Sequence, residues 1–93
     1  MKVRAIHCHN CKDIVYSRAQ EDYRECGCGL VNTWGGQTFT NFDAIPDAEY
    51  DILNLNIDAT SDDMYVDWLE MDDKHGIVRS QEKNYQILNE RIA

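Results

Sequence analysis

Hydrophobic and polar residues alternate in short runs along most of this chain, the period of half-buried strands. Val3-Arg4-Ala5-Ile6-His7 predicts a strand leading into the first cysteines. Asp13-Ile14-Val15-Tyr16-Ser17-Arg18 is rich in β-branched and aromatic side chains and predicts a second. Polar Ala19-Gln20-Glu21-Asp22 then makes the return, and Tyr23-Arg24-Glu25 runs back to Cys26, so a β-hairpin is expected over this stretch. Leu30-Val31-Asn32-Thr33-Trp34 is the next strand, with Gly35-Gly36 as a two-residue hairpin turn and Gln37–Phe42 as its partner.

The pattern changes around Pro46, the only proline. Beyond it, Leu53, Leu55 and Ile57 alternate with Asn54, Asn56 and Asp58, which predicts a strand with one buried face. Thr60-Ser61-Asp62-Asp63 has the makings of a helix start, with Ser61 as N-cap and two acids in the first turn. Met64, Trp68 and Met71 follow at i, i+4 and i+7, with Tyr65 and Leu69 alongside, and predict a helix over roughly 62–71. The rival is a strand over Tyr65–Met71 paired with Gly76–Arg79 through a turn at 72–76. Ser80 could cap a last helix through Gln81–Ile92, with Tyr85, Leu88 and Ile92 on one face. The fold class expected is a small α+β protein. A zinc-ribbon-like β unit over residues 1–42 carries an acidic extension over 43–93, packed on it as one compact domain.

At 93 residues the chain buries a modest share of its surface, so a metal staple would matter to its stability. No apolar run is long enough to span a bilayer, and the first residues lack the apolar core of a secretory signal. A reducing cytoplasm is the expected setting. The net charge of −8 is unevenly spread. Residues 1–36 hold five bases against four acids, whereas Gln37–Asp73 holds eleven acids and no Lys or Arg. Such a field repels phosphate backbones, so nucleic acid is not the expected partner.

Against that background the cysteines stand out. Cys8, Cys11, Cys26 and Cys28 have the spacing Cys-x2-Cys-x14-Cys-x-Cys. In a reducing compartment four such thiols are metal ligands rather than two disulfides, and their chemistry suits one Zn²⁺ or, in the same geometry, iron. Gly27 and Gly29 flank Cys28 and relieve the backbone where the bite is tight. Four thiolates close the shell, so the zinc is structural, one per chain, with no position left for catalysis. His7 and His9 are expected at the surface or behind the ligands rather than on the metal.

The residues around these cysteines carry a resemblance. Cys8-His9-Asn10-Cys11, Asp13, Ser17-Arg18, Asp22-Tyr23-Arg24, Cys26-Gly27-Cys28-Gly29 and Gly35-Gly36 are similar to the motif of a family of small, uncharacterised phage and prophage proteins. The resemblance covers residues 5–36 and implies a zinc-ribbon-like module of viral origin. It transfers no catalytic residue. Family members carry a basic, Tyr-containing segment after the Gly-Gly turn, where this chain has Thr38–Phe42 and then the acidic stretch.

Three classes of function compete. The first is a protein that binds and modulates a host protein, as in host takeover or defence evasion. Its contact surface would be Asp62, Asp63, Tyr65, Asp67, Trp68, Asp72 and Asp73, a set of acids and aromatics able to imitate nucleic acid in a basic cleft. The second is a nucleic-acid-binding zinc ribbon in transcription or genome handling, using Lys2, Arg4, Lys12, Arg18 and Arg24 with Tyr16, Tyr23 and Trp34. The third, an enzyme, is disfavoured: the cysteines are committed as ligands, and no activated cysteine, phosphate-cradling glycine loop or His-x-Glu pair is present. Trp34, Phe39, Phe42 and Trp68 could leave an apolar patch that a homodimer covers.

Overall fold

The strand that starts the chain is also its centre. In the computed structural model, which describes residues 1–72 and 74–79, β1 (Lys2–Cys8) pairs antiparallel on both sides. On one side it runs the whole length of β6 (Tyr50–Asn56), from Lys2 opposite Asn56 to Cys8 opposite Tyr50. On the other it meets β2 (Ile14–Val15), which pairs in turn with β7 (Ile77–Val78). The order is β6-β1-β2-β7. A second antiparallel sheet holds β3 (Arg24–Glu25), β4 (Val31–Trp34) and β5 (Asn41–Ala44) in sequence order. One helix, α1 (Ser61–Leu69), completes the α+β fold among the described residues.

Alternation along β1 sends its side chains to two separate cores. Val3 and Ala5 pack with Ile14, Tyr16, Leu53, Leu55, Val78 and Met64 of α1. Ile6 and Cys8 pack on the other face with Val15, Cys26 and Val31. The first sheet therefore lies between the helix and the second sheet. Burial on both faces explains why Ala5-Ile6 breaks the simple in-and-out pattern.

The expected hairpin between 13–18 and 23–25 does not form. After Val15 the chain folds into a turn instead: the Ser17 hydroxyl donates to the carbonyls of Ala19 and Asp22, and Arg18 N–H donates to the Asp22 carboxylate. With those groups satisfied locally, β2 keeps its two neighbours in the first sheet and β3 pairs with β4. The second cysteine pair thus sits in the β3–β4 turn. Gly35-Gly36 is likewise not a two-residue turn, because Trp34 pairs with Asn41 and residues 35–40 form the connection. Both glycines have positive φ, and Gly36 docks the connection on the Ser17 turn by donating its N–H to the Ser17 hydroxyl.

Helix α1 starts one residue earlier than expected. Thr60 is the N-cap, and its hydroxyl and the Asp63 carboxylate exchange bonds with each other's backbone N–H groups as a capping box. The rival strand over 65–71 is not observed. Met64 is buried and Trp68 half-buried, but Met71 is 86% exposed, because the helix ends before it and its own φ is +55°. The inward position in between is taken by Asp67. The helix expected over 81–92 lies outside the described residues, as does Asp73.

Candidate metal centre and the acidic helix face

Two tight turns bring the cysteines together. Cys8 ends β1, and its N–H donates to the Asp13 carbonyl across a turn in which Lys12 adopts φ +69°, so Cys11 folds back beside it. Cys26 N–H donates to the Val31 carbonyl, and Gly29, at φ +77°, donates back to the Cys26 carbonyl. The four sulfurs all lie within 4.8 Å of one another. Cys28 Sγ is 3.5 Å from both Cys8 Sγ and Cys26 Sγ. A tetrahedron with metal–sulfur bonds of about 2.3 Å has edges of about 3.8 Å. A disulfide needs about 2.05 Å, and all four cysteines are free. The donor set and its spacing fit a metal ion.

The four thiols carry charge unequally. Burial pushes Cys8 upward and drives Cys11 up to about 12. At exposed Cys28, desolvation also pushes upward, but hydrogen bonds from the Asn10 side chain, the Leu30 backbone and the Cys26 and Cys8 thiols outweigh it and draw the group down to about 6. The cluster already favours one thiolate. A cation at its centre would stabilise the rest.

Asp13, which the cysteine spacing does not reveal, ties the two turns to each other. Its buried carboxylate accepts from Gly27 N–H at 2.9 Å and faces Arg79 Nη1 at 3.5 Å. A Cβ at position 27 would stand 2.6 Å from Asp13 Oδ2. Close approach, rather than an unusual φ, is what requires glycine there.

A second charged cluster fastens α1. Arg18 Nε donates to Asp22 Oδ2 at 2.8 Å, and Nη1 donates to Asp67 Oδ2 at 2.8 Å and to the Asp72 carbonyl at 2.8 Å. Asp67 also accepts from the N–H groups of Lys74 and His75. Burial works to raise the Asp67 carboxyl, but the Arg18 guanidinium and those two amides outweigh it and hold the group below the usual carboxylate range. Asp67 is therefore turned away from the outward surface expected of it. Arg18 and Tyr16, two members of the basic-aromatic set, are buried as well.

Of the other residues expected at a partner surface, Asp62, Asp63 and Tyr65 are exposed on α1, and Trp68 and Asp72 are half-buried. Hydrogen bonds from the Thr60 backbone and hydroxyl keep the Asp63 carboxyl below its ordinary range. Tyr65 lies against Trp68 with ring centroids 5.8 Å apart. Leu69 is exposed on the same helix, and so is Val66, an apolar residue that the sequence pattern did not single out. Between α1 and the Gly35–Gly36 connection runs a groove of about 410 Å³, lined by Asp62 and Tyr65 from the helix and by the exposed Phe39 from the connection. Next to Gln20 and Glu21 of the turn at 17–22, Tyr23 and Trp34 stack at 6.2 Å, also exposed.

Among the described residues no helix is long and apolar enough to cross a membrane. No curated protein and no solved structure matches the chain. Residues 1–42, the segment that contains all four cysteines, the Ser17 turn and the Gly-Gly connection, match the model of a domain of unknown function, DUF7695.

Proposed function

We propose that this chain is a small, zinc-stapled binding protein without catalytic activity, which docks a basic surface of a host protein through α1 and the groove beside it. The observation that carries the reading is the groove itself. Asp62, Tyr65 and Phe39 all line it, a carboxylate in company with two exposed aromatic rings, and that combination suits a Lys or Arg side chain. The absence of Lys and Arg from Gln37 to Asp72 supports the same polarity of partner. The four-thiolate set favours Zn²⁺ as the metal, held in a closed shell, and free thiols fit a reducing host cytoplasm. The resemblance of residues 5–36 to phage proteins is the ground for a viral origin and a host target.

The competing reading, a nucleic-acid-binding ribbon, loses support from the burial of Arg18 and Tyr16, which leaves Lys2, Arg4 and Lys12 as its exposed bases on the first strand and turn. Capture from nuclease-treated host lysate, with the chain and its Asp62→Lys/Tyr65→Ala variant side by side, decides between them. One basic host protein retained by the parent and lost by the variant is the expected result. Equal retention by both, or retention of nucleic acid alone before nuclease treatment, would contradict the docking face.

A further inference from the structure

The histidines on either side of Cys8 point away from the cysteines. In β1, Cys8 shares a face with Ile6, whereas His7 shares the other with Val3 and Ala5. Asp51 sits directly opposite His7 in β6, on that same face. The ladder continues one step past the strand, where His9 N–H donates to the Glu49 carbonyl at 3.0 Å, so His9 is fixed over the same strand end. The pattern is His-x-His on one strand with an aspartate across from it.

We propose that His7, His9 and Asp51 form a second metal site, which takes a divalent first-row transition ion, Zn²⁺ foremost, in an open three-ligand shell. One ligand atom from each of the three lies within 4.8 Å of the other two. His9 Nε2 and Asp51 Oδ2 are 2.7 Å apart. Ligands at about 2.1 Å from one ion stand about 3.0–3.4 Å from each other, so small side-chain rotations convert this cluster into a shell. Two imidazoles and a carboxylate prefer Zn²⁺, Co²⁺, Ni²⁺ or Cu²⁺ to Mg²⁺ or Ca²⁺, which seek all-oxygen ligands.

The surroundings support the assignment. The His7 ring is held by a hydrogen bond to the Lys12 backbone. With His9 bound through Nε2, its other ring nitrogen, Nδ1, faces Glu49 Oε2 at 3.9 Å. A carboxylate behind a ligating histidine orients the ring and raises its basicity, and Glu49 is a positioning residue of that kind. Three protein ligands leave room for water or an outside ligand, so this site differs in kind from the closed four-thiolate cluster on the other face.

The test is a titration of the chain with a second equivalent of the ion it already holds, in one series Zn²⁺ on the Zn²⁺-loaded chain and in a parallel series Co²⁺ on the Co²⁺-loaded chain. A second equivalent is expected to bind. With Co²⁺ the first equivalent brings the intense thiolate-to-metal absorption, and the second adds only weak visible bands. His9→Gln and Asp51→Asn, both at partly exposed positions, are expected to weaken the second event more than tenfold without altering the first or the melting temperature. Glu49→Gln is expected to weaken it about tenfold. Saturation of the parent at one equivalent would overturn the proposal, as would a second event undiminished in both ligand variants. A second event that increases the thiolate absorption would reassign the ion to the cysteines and overturn it equally.

Discussion

The cysteine cluster and the Arg18 cluster do the same mechanical task with opposite chemistry. Each joins segments far apart in the chain: the thiols connect the end of β1 to the β3–β4 turn, and Arg18 connects the turn at 17–22 to α1. The thiols can supply negative charge to a cation from outside. Arg18 is a cation of the chain's own, surrounded by Asp22, Asp67 and the Asp72 carbonyl. With a metal bound, one fastening would depend on metal supply, while the other rests on charges that the chain itself carries. Different perturbations should open different ends of the same small molecule.

The largest effect is expected from the metal side. Folding and metal binding are one equilibrium in such clusters, with binding energies of about 10–16 kcal/mol for structural zinc. Cys26→Ser should therefore leave the second sheet unfolded at 25 °C, measured by loss of dispersed amide resonances from residues 24–44. A variant that melts like the parent and keeps its metal would show that Cys26 does not fasten the second sheet.

The Arg18 side comes next. Removing one partner of a buried ion pair costs about 3 kcal/mol or more, and Asp67→Ala is expected to destabilise the chain by that amount in urea unfolding. Acid should imitate the substitution. A carboxyl held below its unfolded value contributes stability that is complete above about pH 4 and fades as the pH falls through the lower, folded value. Unfolding free energy measured from pH 6 down to pH 2 should thus decline less in Asp67→Ala than in the parent. An equal decline in both would assign the acid sensitivity elsewhere.

The smallest expected effect tests the join between the two cysteine turns. Gly27→Ala forces a methyl group against the Asp13 carboxylate and should cost about 1–3 kcal/mol, the usual range for overpacking. The double variant Gly27→Ala/Asp13→Ala removes the clash. Partial recovery of stability in the double variant is expected, and further additive loss would show that the contact is not the cause.

The same contrast explains what could be read from the chain and what could not. The cysteine cluster announces itself, because few residue types suit a soft ion and the spacing within each pair is local. Strands β1, β4 and β6 were legible for a similar reason: alternation over four or more residues records one or two buried faces. The pairing of β2 with β7 was not, since two residues carry no period and the choice was made by Ser17, Arg18 and Asp22 bonding among themselves. Asp67 escaped because a hydrophobic pattern counts a carboxylate as outward, while its partner lies 49 positions away. Met71 fell off the helical stripe because the backbone left the helix before reaching it. The His7–Asp51 juxtaposition needed the register of β1 on β6, which no local signal contains.

Metal in the cysteine cluster is expected to hold the second sheet in place, while the protein's own charges hold α1. Amide hydrogen exchange, followed by mass spectrometry before and after chelation at pH 7, tests it most directly. Peptides spanning β3, β4 and β5 are expected to lose their protection on chelation and regain it with one equivalent of Zn²⁺, while the α1 peptide loses much less. Unchanged protection of β3–β5 after the metal is removed would contradict it.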